Sequence, residues 1–297
     1  MKVSFVTSFY NNEKDVNKFF NEIVNTSNSL GLDYEIIIID DGSTDNTLKE
    51  IKKLKSNKLK AFKNLVNYGE QKSYSFGIMQ ASKEYIFIIE SDLDIETENI
   101  SKFINEISKN SEIDMVYAEV NKSFIQKLSL SNLFFAILNK VSNLKFPNNA
   151  AWFRIISKRI TDQLQDFDEN EFHLAGTLNL LSDYKVSIAV NKKKSKSKYS
   201  FFGKYLLAIN TFINFTSKPL DALLGLGFGF VIINIASLFF LFYYRIQYDL
   251  LPGWAGIIFA VLTSFTILLI ILGVLSLYIS KIYKEVRRVP KIISKKL

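Results

Sequence analysis

Apolar and polar positions fall into blocks of changing period along the first two-thirds of the chain. Val3–Ser8 is a short apolar run that ends in polar FYNNEKD, and the apolar positions that follow, Val16, Phe19, Phe20, Ile23 and Val24, recur at helical spacing. Tyr34–Ile39, dominated by isoleucine, predicts a strand buried on both faces. It runs directly into Asp40-Asp41-Gly42-Ser43-Thr44-Asp45, after which Thr47–Leu54 has a helical pattern. Lys60–Leu65 reads as a third strand, Gly69–Ala81 as a helix, and Tyr85–Ile89 as a buried strand ending at Glu90-Ser91-Asp92-Leu93-Asp94; Asp114–Ala118 is a further strand. Alternating units of this kind predict an α/β fold with a mostly parallel sheet covered on both faces. Ligands of such a sheet gather at the carboxyl ends of its strands.

In the last third the alternation gives way to long uncharged runs. Ala222–Tyr244 has no formally charged residue, and neither does Trp254–Ser280. Each run is long enough, at about 1.5 Å per helical residue, to cross a hydrocarbon core of roughly 30 Å. The connector Arg245–Gly253 carries one Arg and one Asp, with Tyr243, Tyr244, Tyr248 and Trp254 where an interfacial aromatic belt would lie. Ahead of the first run, Tyr205, Leu206, Leu207, Ile209, Phe212, Ile213 and Phe215 recur at helical spacing, which fits a helix in the headgroup plane or one facing a core. The expected organisation is an α/β domain over 1–200, an interfacial helix over 201–219, membrane spans at 222–244 and 254–280, and a basic tail over 281–297.

Charge sharpens that reading. The formal net charge is +8, but residues 192–204 hold six lysines and no acid, and residues 281–297 hold seven basic residues against Glu285. The rest of the chain is therefore mildly acidic. Positive clusters flanking the most apolar segment favour a lipid bilayer over nucleic acid as the partner, and they place both chain ends on the cytosolic side. MKVSFVTSFYNN turns polar after a brief apolar run and does not read as a signal peptide. The expected location is a membrane, with the N-terminal two-thirds of the chain in the cytosol. The absence of cysteine and the single histidine, His173, exclude thiolate and multi-histidine metal sites, so metal chemistry must use oxygen ligands.

No G-x-G-x-x-G follows the first strand, which removes the main support for a dinucleotide-binding reading. Two acidic clusters at strand ends are the candidate chemistry instead. Carboxylates there cost desolvation energy unless they meet donors or a cation. For Asp40-Asp41-Gly42-Ser43 the natural donors are the amide and ribose hydroxyls of a nucleoside. In Glu90-Ser91-Asp92-Leu93-Asp94 the alternating acids point to one side if the strand continues, a disposition suited to Mg²⁺ or Mn²⁺.

With these residues in view, the sequence resembles the inverting family 2 glycosyltransferases of GT-A fold. Within them it is similar to the bacterial polyprenyl-phosphate glycosyltransferases, such as bactoprenol glucosyltransferases, related to dolichol-phosphate mannose synthase. The resemblance runs through FVTSFYNNEKDV, EIIIIDDGSTDNT, NYGEQKSYSFGIMQAS, IIESDLDIETE, WFRIISKR, SKYSF and IYKEVRRVPKII, nearly the whole chain. It implies a GT-A domain (Rossmann-like, mostly parallel sheet) followed by two C-terminal transmembrane helices. The implied reaction moves a sugar from a nucleotide donor to membrane polyprenyl phosphate, with inversion and a divalent ion, for cell-envelope glycan modification. Carried over residue by residue, Tyr10, Glu13, Asp40 and Asp41 are nucleotide contacts, and Asp92, with Glu90 and Asp94, is the metal ligand. Arg154 and Lys198 are catalytic cations that, with Lys122 or Lys127, would hold the acceptor phosphate.

The chain departs from the family pattern in several places. Glu90 replaces the first acid of the metal motif, Asp94 a glutamine, and Trp152 the aspartate that precedes F-R in many relatives. An indole cannot accept a proton, so the alternative reading is a catalytically silent paralogue that binds nucleotide sugar or lipid phosphate as a scaffold. A third reading keeps the enzyme and changes its acceptor to a membrane-adjacent glycan. Gly225, Gly227 and Gly229 permit close helix packing, although their spacing is not a small-xxx-small face, and a homo-oligomer stays open.

Overall fold

The computed structural model describes residues 1–121, 150–166, 174–192, 253–286 and 294–297, with isolated helical positions between 229 and 247. In chain order the elements are β1 (Lys2–Phe9), α1 (Val16–Ser29), β2 (Asp33–Asp40), α2 (Thr47–Lys53), β3 (Leu59–Asn64), α3 (Glu70–Met79), β4 (Tyr85–Ile89) and a 3₁₀ turn at Thr97–Asn99. There follow α4 (Ile100–Lys109), β5 (Met115–Val120), β6 (Ala150–Ser157), α5 (Lys158–Asp166), α6 (Leu174–Leu181), β7 (Lys185–Val190), α7 (Trp254–Val286) and β8 (Ser294–Lys296).

The strands form one sheet in the order β7-β5-β6-β4-β1-β2-β3-β8. β3, β2, β1 and β4 run parallel, as the alternating pattern requires, while β6 is antiparallel to both β4 and β5, and β7 is parallel to β5. β1 and β2 are buried on both faces, which is why they read as unbroken apolar runs rather than as alternation. One face of the sheet is covered by α1 through Val16, Phe19 and Ile23 and by α4 through Ile100, Phe103, Ile104 and Ile107. The other is covered by α3, α5 and α6, with Tyr74, Ile78, Ile160, Leu164, Leu174 and Leu178 packed on Val6, Ile37, Ile39 and Ile88. Gly77 lets α3 lie close, since a Cβ there would stand 2.5 Å from Val6 Cγ1 and 2.6 Å from Ile39 Cδ1.

After β3 the chain returns to the far side of β1 to form β4. The direction of winding therefore reverses beside β1, and the carboxyl ends of β1, β2 and β4 open a crevice there. The register Phe9↔Asp40 between β1 and β2 brings their ends level.

Two features at the C-terminal end differ from expectation. The tail does not simply trail away: Ser294–Lys296 adds an antiparallel strand to the edge of β3. The expected first span, 222–244, lies outside the described residues apart from isolated helical positions, and the expected interfacial helix, 201–219, lies wholly outside them. α7 coincides with the expected second span and runs 33 residues. Among the described residues no helix is long and apolar enough to cross a membrane. Ile257, Val261, Phe265, Leu268, Ile279 and Ile282 of α7 nevertheless stand exposed.

Candidate functional site

The rim of the crevice is stitched from two loops. After β1, the backbone N–H of Asn11 donates to Ser43 Oγ (3.1 Å) and that of Asn12 to Thr47 Oγ1 (2.9 Å), while Thr44 N–H returns a bond to Asn11 Oδ1 (2.8 Å). Glu13 accepts from the backbone N–H of Asn46 (3.2 Å), fixing the start of α2. Asn11 itself has φ of +48°, a left-handed turn that a short amide side chain tolerates. Tyr10, on the same loop, is half exposed. The structure thus brings Tyr10, Glu13, Asp40 and Asp41 to one rim.

The two aspartates at the end of β2 do different work, which their adjacency in sequence does not reveal. Asp41 is fully committed: Oδ1 accepts from Asn64 Nδ2 (2.8 Å) and the N–H of Tyr68 (3.0 Å), and Oδ2 from the N–H of Gly69 (2.9 Å). It pins the loop after β3 against the turn after β2. Gly42 makes the close approach possible, since its φ is +72° and a Cβ there would lie 2.7 Å from the carbonyl carbon of Val66. Asp40 is also buried, but only its Oδ1 is bonded, to Ser43 N–H (3.1 Å), and Oδ2 has no partner among the described residues. Burial raises the Asp40 carboxyl above the ordinary range, and the Ser43 N–H and Lys63 only partly oppose the shift.

The second cluster converges for a reason other than the one its spacing suggests. β4 stops at Ile89, so the acids do not lie on one face of a continuing strand. Instead the chain turns through Glu90–Asp94, with Leu93 N–H donating to the Glu90 carbonyl (3.3 Å) and Leu93 held at φ of +50°. A branched residue in the left-handed region is strained, and such strain collects at functional turns. The turn gathers one oxygen each from Glu90, Asp92 and Asp94 within 4.8 Å of one another. Among the described residues Asp94 Oδ2 is buried without a hydrogen-bond partner, with only the Lys192 ammonium nearby at 3.6 Å. Three convergent carboxylates with an unsatisfied oxygen fit a hard divalent cation.

Lys192, just past the end of β7, belongs to this cluster and escaped notice in the sequence, where it is one lysine of a run. Its Nζ donates to Glu90 Oε2 at 2.6 Å and lies 3.6 Å from Asp94 Oδ2. Burial pushes its ammonium down, but Glu90 first and then Asp94 and Asp92 outweigh that, and it is held above the ordinary lysine range. Arg154, on β6 opposite Ile88 of β4, is buried, with Nη2 donating to the Ala151 carbonyl (3.0 Å). Its guanidinium lies 4.3 Å from the centre of the Trp152 ring, which in turn packs on Tyr74 at 5.1 Å. Burial lowers the Arg154 pKa to about 10, with Tyr74 and Glu90 opposing the fall, so it stays charged at neutral pH. Trp152 therefore fills the place of the missing aspartate as an aromatic platform for a charge within electrostatic reach of Glu90. Lys122, Lys127, Lys198 and His173 lie outside the described residues.

A family model for glycosyl transferase family 2 matches residues 4–165. An uncharacterized glycosyltransferase of Synechocystis sp., sll0501, is 24% identical over 300 residues, spanning 98% of this chain and 93% of its own length. CsbB of Bacillus subtilis (strain 168), named as a glycosyltransferase, is 26% identical over 297 residues, spanning 97% of this chain and 89% of its own. In fold, the chain is similar to mannosyl-3-phosphoglycerate synthase from Rubrobacter xylanophilus, with a TM-score of 0.50 at 11% identity over 72% of this chain and 73% of that one.

Proposed function

The chain belongs to glycosyl transferase family 2 and is a glycosyltransferase acting with a nucleotide-sugar donor; from that premise we propose that it glycosylates the phosphate of a membrane polyprenol, with inversion at the anomeric carbon. The observation that carries the donor side is that Asp40 Oδ2, without a hydrogen-bond partner among the described residues, and the Glu90, Asp92 and Asp94 carboxylates stand at the carboxyl ends of β2 and β4, the two strands that flank β1. Asp40 Oδ2 is the acceptor for a nucleoside N–H or ribose hydroxyl, and Asp41 keeps the Tyr68–Gly69 backbone in place around it. Glu90, Asp92 and Asp94 would hold a divalent cation, which when bound neutralises the leaving diphosphate. Lys192, paired with Glu90, stands beside them as a positive charge for the diphosphate. Arg154, buried under Trp152, supports Glu90 electrostatically rather than reaching an exposed acceptor.

The acceptor side rests on the two uncharged runs, Ala222–Tyr244 and Trp254–Ser280, and on the basic clusters beside them. A catalytic domain tethered at a bilayer meets a soluble donor on one side and a lipid phosphate on the other, which raises the effective concentration of an acceptor confined to the membrane. The acceptor is already an anion and needs no strong base, so a tryptophan at position 152 is compatible with turnover. This reading places the protein in the inner membrane with its catalytic domain in the cytosol.

The test is a screen of nucleotide sugars against bacterial polyprenyl phosphate in detergent, followed by mass spectrometry of the lipid fraction. A sugar-phosphate lipid formed only with added cation, and lost in Asp92→Ala, is expected. A second reading, a binding scaffold, is favoured by Trp152 and by Val120, Asn121 and Lys122 standing where an arginine is expected after Asp114–Ala118; donor binding without turnover and indifferent to Asp92→Ala would establish it instead.

A further inference from the structure

The C-terminal strand ends where the donor site begins. β8 pairs with β3 in the register Asn64↔Ser294, Lys63↔Lys295 and Phe62↔Lys296, and Leu297 N–H donates to the Ala61 carbonyl (2.9 Å). It covers what would otherwise be an open sheet edge. The pairing also delivers one side chain to a buried network: Ser294 Oγ donates to Asn64 Oδ1 at 2.5 Å. Asn64 is fully buried, and its amide nitrogen uses both hydrogens, one to Asp41 Oδ1 (2.8 Å) and one to Ser73 Oγ (2.9 Å).

We propose that the C-terminal strand is a positioning element of the donor site, with the Ser294 hydroxyl setting the orientation of the Asn64 amide that holds Asp41. A primary amide presents two donors on one side and one acceptor on the other. With Ser294 in place, the oxygen faces the tail and the nitrogen faces Asp41. Without it, Oδ1 is a buried acceptor with nothing to accept, and a flipped amide would turn its oxygen onto the Asp41 carboxylate. Either change loosens Asp41, and with it the Tyr68 and Gly69 N–H groups and the Val66–Asn67 backbone on which Gly42 rests. Asp40, the residue before Asp41 and the last of β2, then loses its fixed aim. The strand follows α7 by residues 287–293, so the helix assigned to the bilayer and the donor pocket are linked through one short segment and one hydroxyl. The inference rests on the reading of the β2 end as the nucleoside site.

The experiment uses the full chain in detergent and measures binding of UDP and of GDP calorimetrically, together with hydrogen exchange at Tyr68 and Gly69. Ser294→Ala is expected to weaken the preferred nucleotide about three- to tenfold, the size of one lost neutral hydrogen bond. It should raise the donor KM while leaving kcat within about twofold, on the same scale, and speed exchange at those two amides. Ser294→Thr should restore all three. If Ser294→Ala binds as the parent while Asp40→Asn does not, or if Thr fails to restore what Ala loses, the positioning role is overturned. If Asp40→Asn and Asp41→Asn both bind as the parent, the nucleoside reading itself has failed.

Discussion

Lys192→Met should tighten divalent-ion binding to the free enzyme. The Lys192 ammonium lies 2.6 Å from Glu90 Oε2 and 3.6 Å from Asp94 Oδ2, so it uses lone pairs that an ion would need. At an effective dielectric of about 20 the two attractions are worth roughly 6 and 5 kcal/mol before any desolvation is counted. Most of that is offset, because the Lys192 side chain is still 24% exposed and its ammonium gives up water to reach the carboxylates. A charge-assisted bond of this kind nets about 1.5–3 kcal/mol, and removing the competitor returns that amount to the ion, about a tenfold to hundredfold gain in affinity. Met keeps the length of the side chain without its charge. Electron paramagnetic resonance of free Mn²⁺, titrated with protein at neutral pH without donor, reads the affinity directly. Lys192→Arg should bind the ion no tighter than the parent. An unchanged or weaker affinity in Lys192→Met would refute the shared-oxygen reasoning.

Three further outcomes follow from the same geometry. Gly42→Ala should cost about 2 kcal/mol or more in urea unfolding and raise the donor KM, because φ of +72° and the 2.7 Å approach to Val66 leave no room for a Cβ. Arg154→Lys should lose about 2 kcal/mol in the same unfolding assay and lower kcat, since an ammonium cannot reproduce the flat stacking on Trp152. Glu35 sits at the opposite end of β2, buried, accepting from Ser4 Oγ (2.6 Å) and Ser82 N–H (2.6 Å) and paired with Lys60 (2.7 Å). Burial pushes its carboxyl up, but Lys60, Ser4 and Ser82 outweigh this and hold it below its ordinary value of 4.5. Its stabilisation is therefore complete above that value and is lost as pH falls through the lowered pKa. Glu35→Gln should melt earlier at neutral pH, by about 1–3 kcal/mol, and flatten the acid limb of a stability-against-pH curve while donor binding is kept.

The strand-helix alternation, the buried parallel strands and the acids at their ends were legible in the sequence because they are local: a run of isoleucine between polar turns has few other ways to be buried. Tyr85–Ile89 was delimited to the residue for that reason. Long-range pairings were not legible. The antiparallel insertion of β6 beside β4 and the capture of Ser294–Lys296 by β3 join segments far apart along the chain, and no periodicity records a partner.

The same division runs through the site. Residue type and strand-end position alone picked out Asp40, Asp41, Glu90, Asp92 and Asp94, because a carboxylate there costs too much to be incidental. Only the tertiary structure decided that Asp41 is spent on a loop while Asp40 Oδ2 has no hydrogen-bond partner among the described residues, and that a left-handed turn at Leu93 gathers the acids. It alone brought Lys192 from a lysine run onto Glu90, and Ser294 from a basic tail onto Asn64. The physical reason is that sequence specifies which groups must be satisfied when they are buried, whereas the identity of the group that satisfies them depends on which distant segment the folded chain places within about 3 Å.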